Sequence, residues 1–309
     1  MLRQSIGLAV LCLPLATSAV HAQPPVVRTA DPIKRGLKLT DFPRTIKVAD
    51  NVYTYEDFHA GPEKLTTTNM FVVTKDGVLV ADGQGSAAET KQLVDAIRTV
   101  TPQLIKYVVV CSDHGDHTAG NASFPAGVTY IIHPTSKAIL ERSPNGWKPP
   151  ASAMLVSQPH SMKLGGEPID ILFLGRAHTG GDLSVSLPRQ KILLLSETFL
   201  NRVFPAMRSA HPSEWLKALD RAEAMKPEIY IAGHGFTELG PVSKEEIRAY
   251  HRALEAVIAE ATRLHRAGVP VDEAIKQANW GEYTSWTLAS SQGPIAIRKV
   301  YEELNGQLK

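Results

Sequence analysis

Short apolar runs separated by turn residues dominate the first half of the chain. Residues 52–55 (Val-Tyr-Thr-Tyr) and 69–74 (Asn-Met-Phe-Val-Val-Thr) read as strands, and Lys75-Asp76-Gly77 is a turn leading into a third run at 78–82. After a break at 83–86, apolar residues recur at Leu93, Ala96, Ile97 and Val100, a helical stripe over 87–100 that Pro102 ends. Tyr107-Val108-Val109-Val110-Cys111 then predicts a buried strand. The second half repeats this style, with strands at 128–132, 169–174, 183–187, 191–195 and 228–232 and helices at 136–142 and 213–225, the latter with Ser213 as N-cap. Ser243-Lys244-Glu245-Glu246 has the capping-box pattern ahead of a long helix reaching about Arg266, and helices over 272–277 and 295–304 close the chain. Helices follow strands throughout and no compositional break divides them, so the pattern predicts one layered α/β domain over 45–309. Residues 23–44, rich in proline and charge and without a period, form an N-terminal arm ahead of it.

Composition narrows the function classes only a little. The chain has 309 residues, 43% hydrophobic and 21% charged, with a formal net charge of +2; no basic excess points to nucleic acid and no acidic run to a disordered tail. A small molecule is the expected partner, and oligomeric state is left open. The N-terminus says more. A basic start at Met1-Leu2-Arg3, an apolar stretch over 6–20 and the small-x-small sequence Val20-His21-Ala22 make residues 1–22 a signal peptide, with Gln23 as the mature N-terminus and a periplasmic or secreted location. No later segment approaches 18 consecutive apolar residues, so the mature chain has no expected membrane span. Cys12 falls within the leader. That leaves Cys111 as the one remaining thiol, unable to form an intramolecular disulfide and alternating away from Ser112, so it reads as a small buried hydrophobe.

The candidate chemistry lies at the ends of the strands. His114-Gly115-Asp116-His117 follows the Tyr107 strand, His178 sits in the turn Gly175-Arg176-Ala177-His178-Thr179-Gly180-Gly181-Asp182, Ser196-Glu197 ends another strand, and Gly233-His234-Gly235 ends a fourth. Any one of these histidines alone would be read as structural. Together, at successive strand ends that share one edge of a layered sheet, imidazoles and carboxylates are the donor set of a divalent metal such as zinc. Asp82 reads as a turn or orienting residue, and Thr179 and Asp182 as supports for His178 or its loop. His133, His160, His211, His251 and His265 fit no ligand position and read as structural.

The order and spacing of these motifs resemble the metallo-β-lactamase superfamily over nearly the whole mature chain, from the 69–82 hairpin to Gly233-His234-Gly235, with residues 174–183 especially close to the family's third motif. The resemblance implies a four-layered αβ/βα sandwich carrying a metal site, usually dizinc, at one edge of its sheets. Carried over position by position, it makes His114 and His178 ligands of the first metal, Asp116, His117 and His234 ligands of the second, and Glu197 the occupant of a bridging aspartate's place. Asp116 would also position the hydroxide on the metal and so be catalytic. Ser112 stands where the pattern has its first histidine. A serine hydroxyl is a poor zinc ligand beside imidazole, so the expectation is one intact and one weakened site, with Glu197 or Asp113 as possible compensation, and one or two Zn2+ ions bound.

The function these features imply is an exported zinc hydrolase acting through metal-bound hydroxide on an ester-, lactone- or lactam-type bond, β-lactams among the candidates. Two other readings stay open: a metal-binding protein of this fold that has lost catalysis, and iron-dependent oxygen or sulfur chemistry on the same scaffold. There is neither a Gly-x-Ser-x-Gly elbow nor a phosphate-cradling Gly-x-x-x-x-Gly-Lys-Ser/Thr loop to support a rival chemistry. Loops 58–68 and 200–211 are expected to shape the substrate pocket, and Phe199, Phe204, Met207 and Trp215 are candidates either for its wall or for the core.

Overall fold

A computed structural model describes residues 27–58 and 65–308. The expected leader, residues 1–22, lies outside the described residues. The arm leads through a 3-10 turn into β1 (Arg44–Ala49), followed by β2 (Val52–Phe58), β3 (Thr66–Thr74), β4 (Gly77–Ala81), α1 (Ala87–Val100), β5 (Ile105–Val110), the single-turn α2 (Gly115–Thr118), β6 (Thr129–Ile132) and α3 (Pro134–Arg142). The second half comprises β7 (Met154–Leu155), β8 (His160–Leu164), β9 (Glu167–Phe173), β10 (Leu183–Leu187), β11 (Ile192–Leu200), α4 (Pro212–Ala224), β12 (Ile229–His234), α5 (Gly240–Arg266), α6 (Val271–Gln277) and α7 (Ala289–Leu304). Strands β1 to β7 pair into one half and β12, β11, β10, β9 and β8 into the other; one bridge, His234 to Thr67, joins them.

Side-chain alternation sorts these strands into layers. Val109 and Cys111 point inwards with Met70, Val72 and Leu79, where they meet Ile171, Val185, Leu194 and Ile231 of the second half. Val108, Phe71 and Val80 face the other way, onto Leu93, Val94 and Ile97 of α1. On the far side Leu193, Leu195 and Tyr230 pack against α4, α5 and α7 through Trp215, Leu254 and Ile297. The order helix, sheet, sheet, helix is the expected four-layered α/β sandwich. Cys111 is a free, buried thiol within the inter-sheet core, as the alternation predicted.

Several local expectations are corrected. Helix α4 begins at Pro212 with His211 in the N-cap position, because proline suits the first helical turn and takes the start one residue upstream; Ser213 instead bonds Glu303 of α7. Helix α5 begins at Gly240 with Pro241 in its first turn, so Ser243 is inside the helix, and its hydroxyl bonds both backbone groups of Tyr230 instead of capping. Helix α7 starts six residues before the expected 295 and accommodates Pro294 within its second turn. Strands β1, β7 and β8 were not anticipated; β7 spans only Met154–Leu155, and β1 and β8 are half-exposed, with mixed polar composition that gives little apolar signal. The arm is docked: Arg35 pairs with Glu238 at 2.6 Å and lies over the Phe236 ring. No helix of the described residues is long and apolar enough to cross a membrane.

One close approach positions the chemistry. β12 runs parallel to β11, and a methyl group at Gly233 would stand 2.6 Å from the Ser196 carbonyl carbon and 2.8 Å from the Glu197 nitrogen. Only a hydrogen fits there, which brings His234 beside Glu197. Gly233→Ala is therefore expected to lower unfolding free energy by about 1–3 kcal/mol, the ordinary cost of overpacking, as measured by urea denaturation.

Candidate metal centre

Most of the polar residues leave strand ends onto one edge; Ser196 and Glu197, expected to follow a strand ending at 195, lie instead within β11, which runs on to Leu200 and shifts register around Ser196. His114 occupies the N-cap position of α2, which turns so tightly after β5 that Asp116 and His117 lie alongside. Across from them stand His178, Glu197 and His234, from three further segments. Two donor groups result: Asp116, His117, Glu197 and His234 in one, and His114, His178 and Glu197 in the other. The structure thus brings together all six residues that the sequence nominated, with Glu197 shared.

In the first group His117 Nε2 is 3.3 Å from His234 Nε2 and 3.6 Å from Asp116 Oδ2. His234 Nε2 is 3.1 Å from that same oxygen and 3.3 Å from Glu197 Oε1, and His117 Nε2 is 3.9 Å from Glu197 Oε1. Four donors around tetrahedral zinc, each at the usual bond length, stand about 3.3 Å apart, and these separations bracket that value. In the second group His114 Nδ1 is 3.1 Å from His178 Nε2 and 3.1 Å from Glu197 Oε2, and His178 Nε2 is 3.0 Å from Glu197 Oε1.

The far sides of the imidazoles are tethered. His117 Nδ1 faces Asp82 Oδ2 at 3.1 Å, His234 Nδ1 faces the Thr66 carbonyl at 2.8 Å, and His114 Nε2 faces the Ser209 hydroxyl at 3.2 Å. Neutral rings that donate to Asp82 and Thr66 turn bare Nε2 lone pairs towards each other at 3.3 Å. Such an arrangement is repulsive unless a cation lies between them, so the donor set fits a metal. His178 is held by packing instead: its ring meets the edge of Trp215 with centroids 5.2 Å apart, and its buried Nδ1 has no hydrogen-bond partner.

Protonation tells the same story. Burial pulls the His114 imidazole down, yet Glu197, Asp116 and Asp113 outweigh it and raise its pKa to about 9. Burial likewise opposes protonation of His234, and Asp116 and Glu197 overcome it, raising the value to about 10. The buried Glu197 carboxyl, surrounded by His178, His114 and His117, is held well below the usual range despite its burial.

Support residues fall partly where expected. Asp82 is buried at positive φ and orients His117 rather than joining either donor group. Asp182 accepts the Thr179 N–H at 2.7 Å and its hydroxyl at 2.8 Å, bracing the turn and not His178 itself; burial pushes its pKa up to about 7. Asp113 belongs to neither donor group, and burial raises its pKa. Among the remaining histidines, His133 caps α3 by accepting the Thr135 N–H, His251 pairs with Glu223, and His265 bonds Asn305.

The sequence matches the Metallo-beta-lactamase superfamily over residues 64–234, more than half of the chain. The chain belongs to the metallo-beta-lactamase superfamily. It is 23% identical over 203 residues to metallo-beta-lactamase IND-1 of Chryseobacterium indologenes, covering 64% of this chain and 84% of that one. Among solved structures, a metallo-beta-lactamase from Pontibacter korlensis superposes with a TM-score of 0.62 at 20% identity, over 69% of this chain and 98% of that one. The stereoselective inverting sec-alkylsulfatase Pisa1 from Pseudomonas sp. superposes with a TM-score of 0.67 at 14% identity, over 84% of this chain and 50% of its own. Both superpositions show the superfamily's fold.

The donor groups open into a cavity of about 280 Å³, lined also by Leu65, Leu200, Val203, Ala206, Arg208, Leu288, Gln292 and Ile295. Loop 200–211 contributes as expected, but Phe199, Phe204, Met207 and Trp215 are all core residues. The wall from α7 and its preceding turn was missed. It is docked by the Phe204 N–H to Thr287 carbonyl bond at 2.9 Å and the Val203–Thr287 bridge, contacts between segments some 80 residues apart that leave no periodic mark in the sequence. Ser209 and Thr66 were missed too; neither residue type nor spacing marks a hydroxyl or carbonyl that orients an imidazole.

The raised histidine pKa values set a pH dependence. In the metal-free protein the stability contributed by protonated His114 and His234 is fully present below the unfolded value of about 6.5 and is lost as pH rises through about 9 and 10. Metal must displace those protons, so the stabilisation by added zinc is expected to grow over the same interval. Thermal denaturation with and without zinc between pH 6.5 and 9 measures both, and a zinc-induced shift in Tm that shrinks with rising pH would contradict it.

Proposed function

We propose that this protein is an exported, zinc-dependent hydrolase that cleaves an ester-, lactone- or lactam-type bond in a small molecule. The observation that carries this reading is the pair of donor groups sharing Glu197 at the floor of an open cavity. Export rests on the leader pattern of residues 1–22 alone. A bound zinc lowers the pKa of coordinated water towards 7 and polarises the oxygen of the scissile bond.

The chain's own side chains supply the rest. His117 and His234, oriented from behind by Asp82 and Thr66, hold their donor atoms in place before substrate arrives, so little reorganisation is needed. Asp116 lines the cavity beside His234 and keeps its carboxylate 15% exposed, so it orients the attacking water and receives its proton. Leu65, Leu200, Val203 and Ile295 exclude bulk water and pack against the apolar part of a substrate. Arg208 is the one lysine or arginine lining this cavity among the described residues, and it complements an anionic group.

The relatives named metallo-beta-lactamases make β-lactams one candidate class. A secondary alkyl sulfate is a second, favoured by the sec-alkylsulfatase fold, which overlaps 84% of this chain against 69% for the Pontibacter korlensis protein and so extends over more of it.

Zinc-loaded protein is expected to turn over at least one member of a panel of nitrophenyl esters, a lactone, a chromogenic cephalosporin and a secondary alkyl sulfate, and to lose that activity on chelation. Asp116→Asn should lower kcat/KM on the accepted substrate by at least about 100-fold. Arg208→Ala should raise KM for an anionic substrate and leave a neutral ester unaffected. Metal-loaded protein inert to the whole panel would point instead to metal binding without catalysis, and iron in place of zinc on elemental analysis would favour redox chemistry.

A further inference from the structure

Ser112 and Glu197 are two positions at which this chain departs from the metal-binding pattern it otherwise resembles, and in the folded protein they touch. The Ser112 hydroxyl donates a short hydrogen bond to Glu197 Oε2 and accepts the backbone N–H of His114 at 3.2 Å. Both side chains are buried, with 0% and 3% of the residue exposed. The hydroxyl's only proton goes to a carboxylate and one lone pair to an amide, so it is engaged in holding its neighbours.

Glu197 needs such a hold. Its backbone is set by the close approach of Gly233 and by Ser196, which sits at φ 46° with its hydroxyl 2.6 Å from Asp82 Oδ2. Its side-chain torsions are not set by those contacts, and a glutamate head has several staggered positions open to it. The observed one turns Oε1 towards His178 Nε2 at 3.0 Å and His234 Nε2 at 3.3 Å, and turns Oε2 towards His114 Nδ1 at 3.1 Å and the Ser112 hydroxyl.

We propose that Ser112 is a positioning residue for Glu197 and that the two form one coupled unit. The small serine leaves room for the longer carboxylate and, by hydrogen-bonding Oε2, holds that oxygen at His114 while Oε1 faces both His178 and His234, so that Glu197 is the ligand the two groups share. The proposal rests on the metal-centre reading above. Aspartate at 197 would draw the carboxylate back by about one bond length, 1.5 Å, away from both Ser112 and His114. Histidine at 112 in the same rotamer would carry its ring into the volume that Oε2 fills. Either change alone disrupts the centre, and the two together exchange volume.

The test compares the unmodified protein with Ser112→Ala, Ser112→Thr, Glu197→Asp, Ser112→His and the Ser112→His/Glu197→Asp double variant. Metal content after equilibrium dialysis and cobalt absorption spectra are the readouts, with far-UV circular dichroism to check folding. Ser112→Ala is expected to lower metal affinity about 10–100-fold, the usual effect of losing a group that orients a ligand, while Ser112→Thr keeps the hydroxyl and stays close to the unmodified protein. Glu197→Asp and Ser112→His should each bind less metal, and the double variant should recover binding beyond either. The pairing is overturned if Ser112→Ala binds metal as the unmodified protein does, or if the two single losses simply add in the double variant. Should Ser112→His fail to fold, the alanine and threonine comparison decides. An unmodified protein that binds no metal at all would overturn the metal-centre reading itself.

Discussion

A buried carboxylate, Asp82, organises the edge of this molecule that carries the donor groups. It ends β4 at a φ of 62°, where its backbone leaves the strand, and it is 1% exposed. One oxygen accepts the Cys111 N–H at 2.7 Å and lies 3.4 Å from the Ser112 nitrogen; the other takes the Ser196 hydroxyl at 2.6 Å and faces His117 Nδ1 at 3.1 Å. A charge this deep is costly unless its lone pairs are satisfied. Here the satisfying groups are the exit of β5, the segment carrying Glu197 and an imidazole of the centre. The requirement to solvate Asp82 from within therefore fixes how the ends of β4 and β5 sit against β11, and with them the residues between.

That arrangement concentrates polar groups where the core would otherwise be apolar. Four imidazoles and the carboxylates of Asp116 and Glu197 share a few ångströms; the carboxylates raise the pKa values of His114 and His234 against the pull of burial, whereas burial lowers that of His178. Local consistency between packing and polarity is broken here, as it commonly is where a protein binds something. The compensation is spread through the fold: the inter-sheet core around Val109, Ile171 and Val185, and the outer layer around Trp215 and Leu254, bury apolar side chains beneath this edge. Trp215 serves both purposes, filling the core and meeting the His178 ring.

Much of this was legible in one dimension. The runs at 107–111 and 183–187 and the stripe on 87–100 have periods that a strand or helix imposes locally, and each became the element expected. Boundaries failed where a proline took the helix start, at Pro212 and Pro241, because capping by Ser213 or Ser243 competes with a residue already shaped for the first turn. Strands β1 and β8 stayed hidden because a short half-exposed strand carries little apolar periodicity.

The donor types themselves were written in the chain, since imidazoles and carboxylates are among the groups that hold a divalent metal, and their types and order survive without coordinates. So was the anomaly at Ser112 and Glu197, as two separate departures. Their contact was not: they are 85 positions apart, and only the packing of β5 and β11 onto one edge brings the hydroxyl to the carboxylate. The same holds for α7, expected only from 295, whose first two turns wall the cavity through Gln292 and Ile295. Residue chemistry and local period travel along the chain, whereas direction and distance between remote side chains exist only after it has folded.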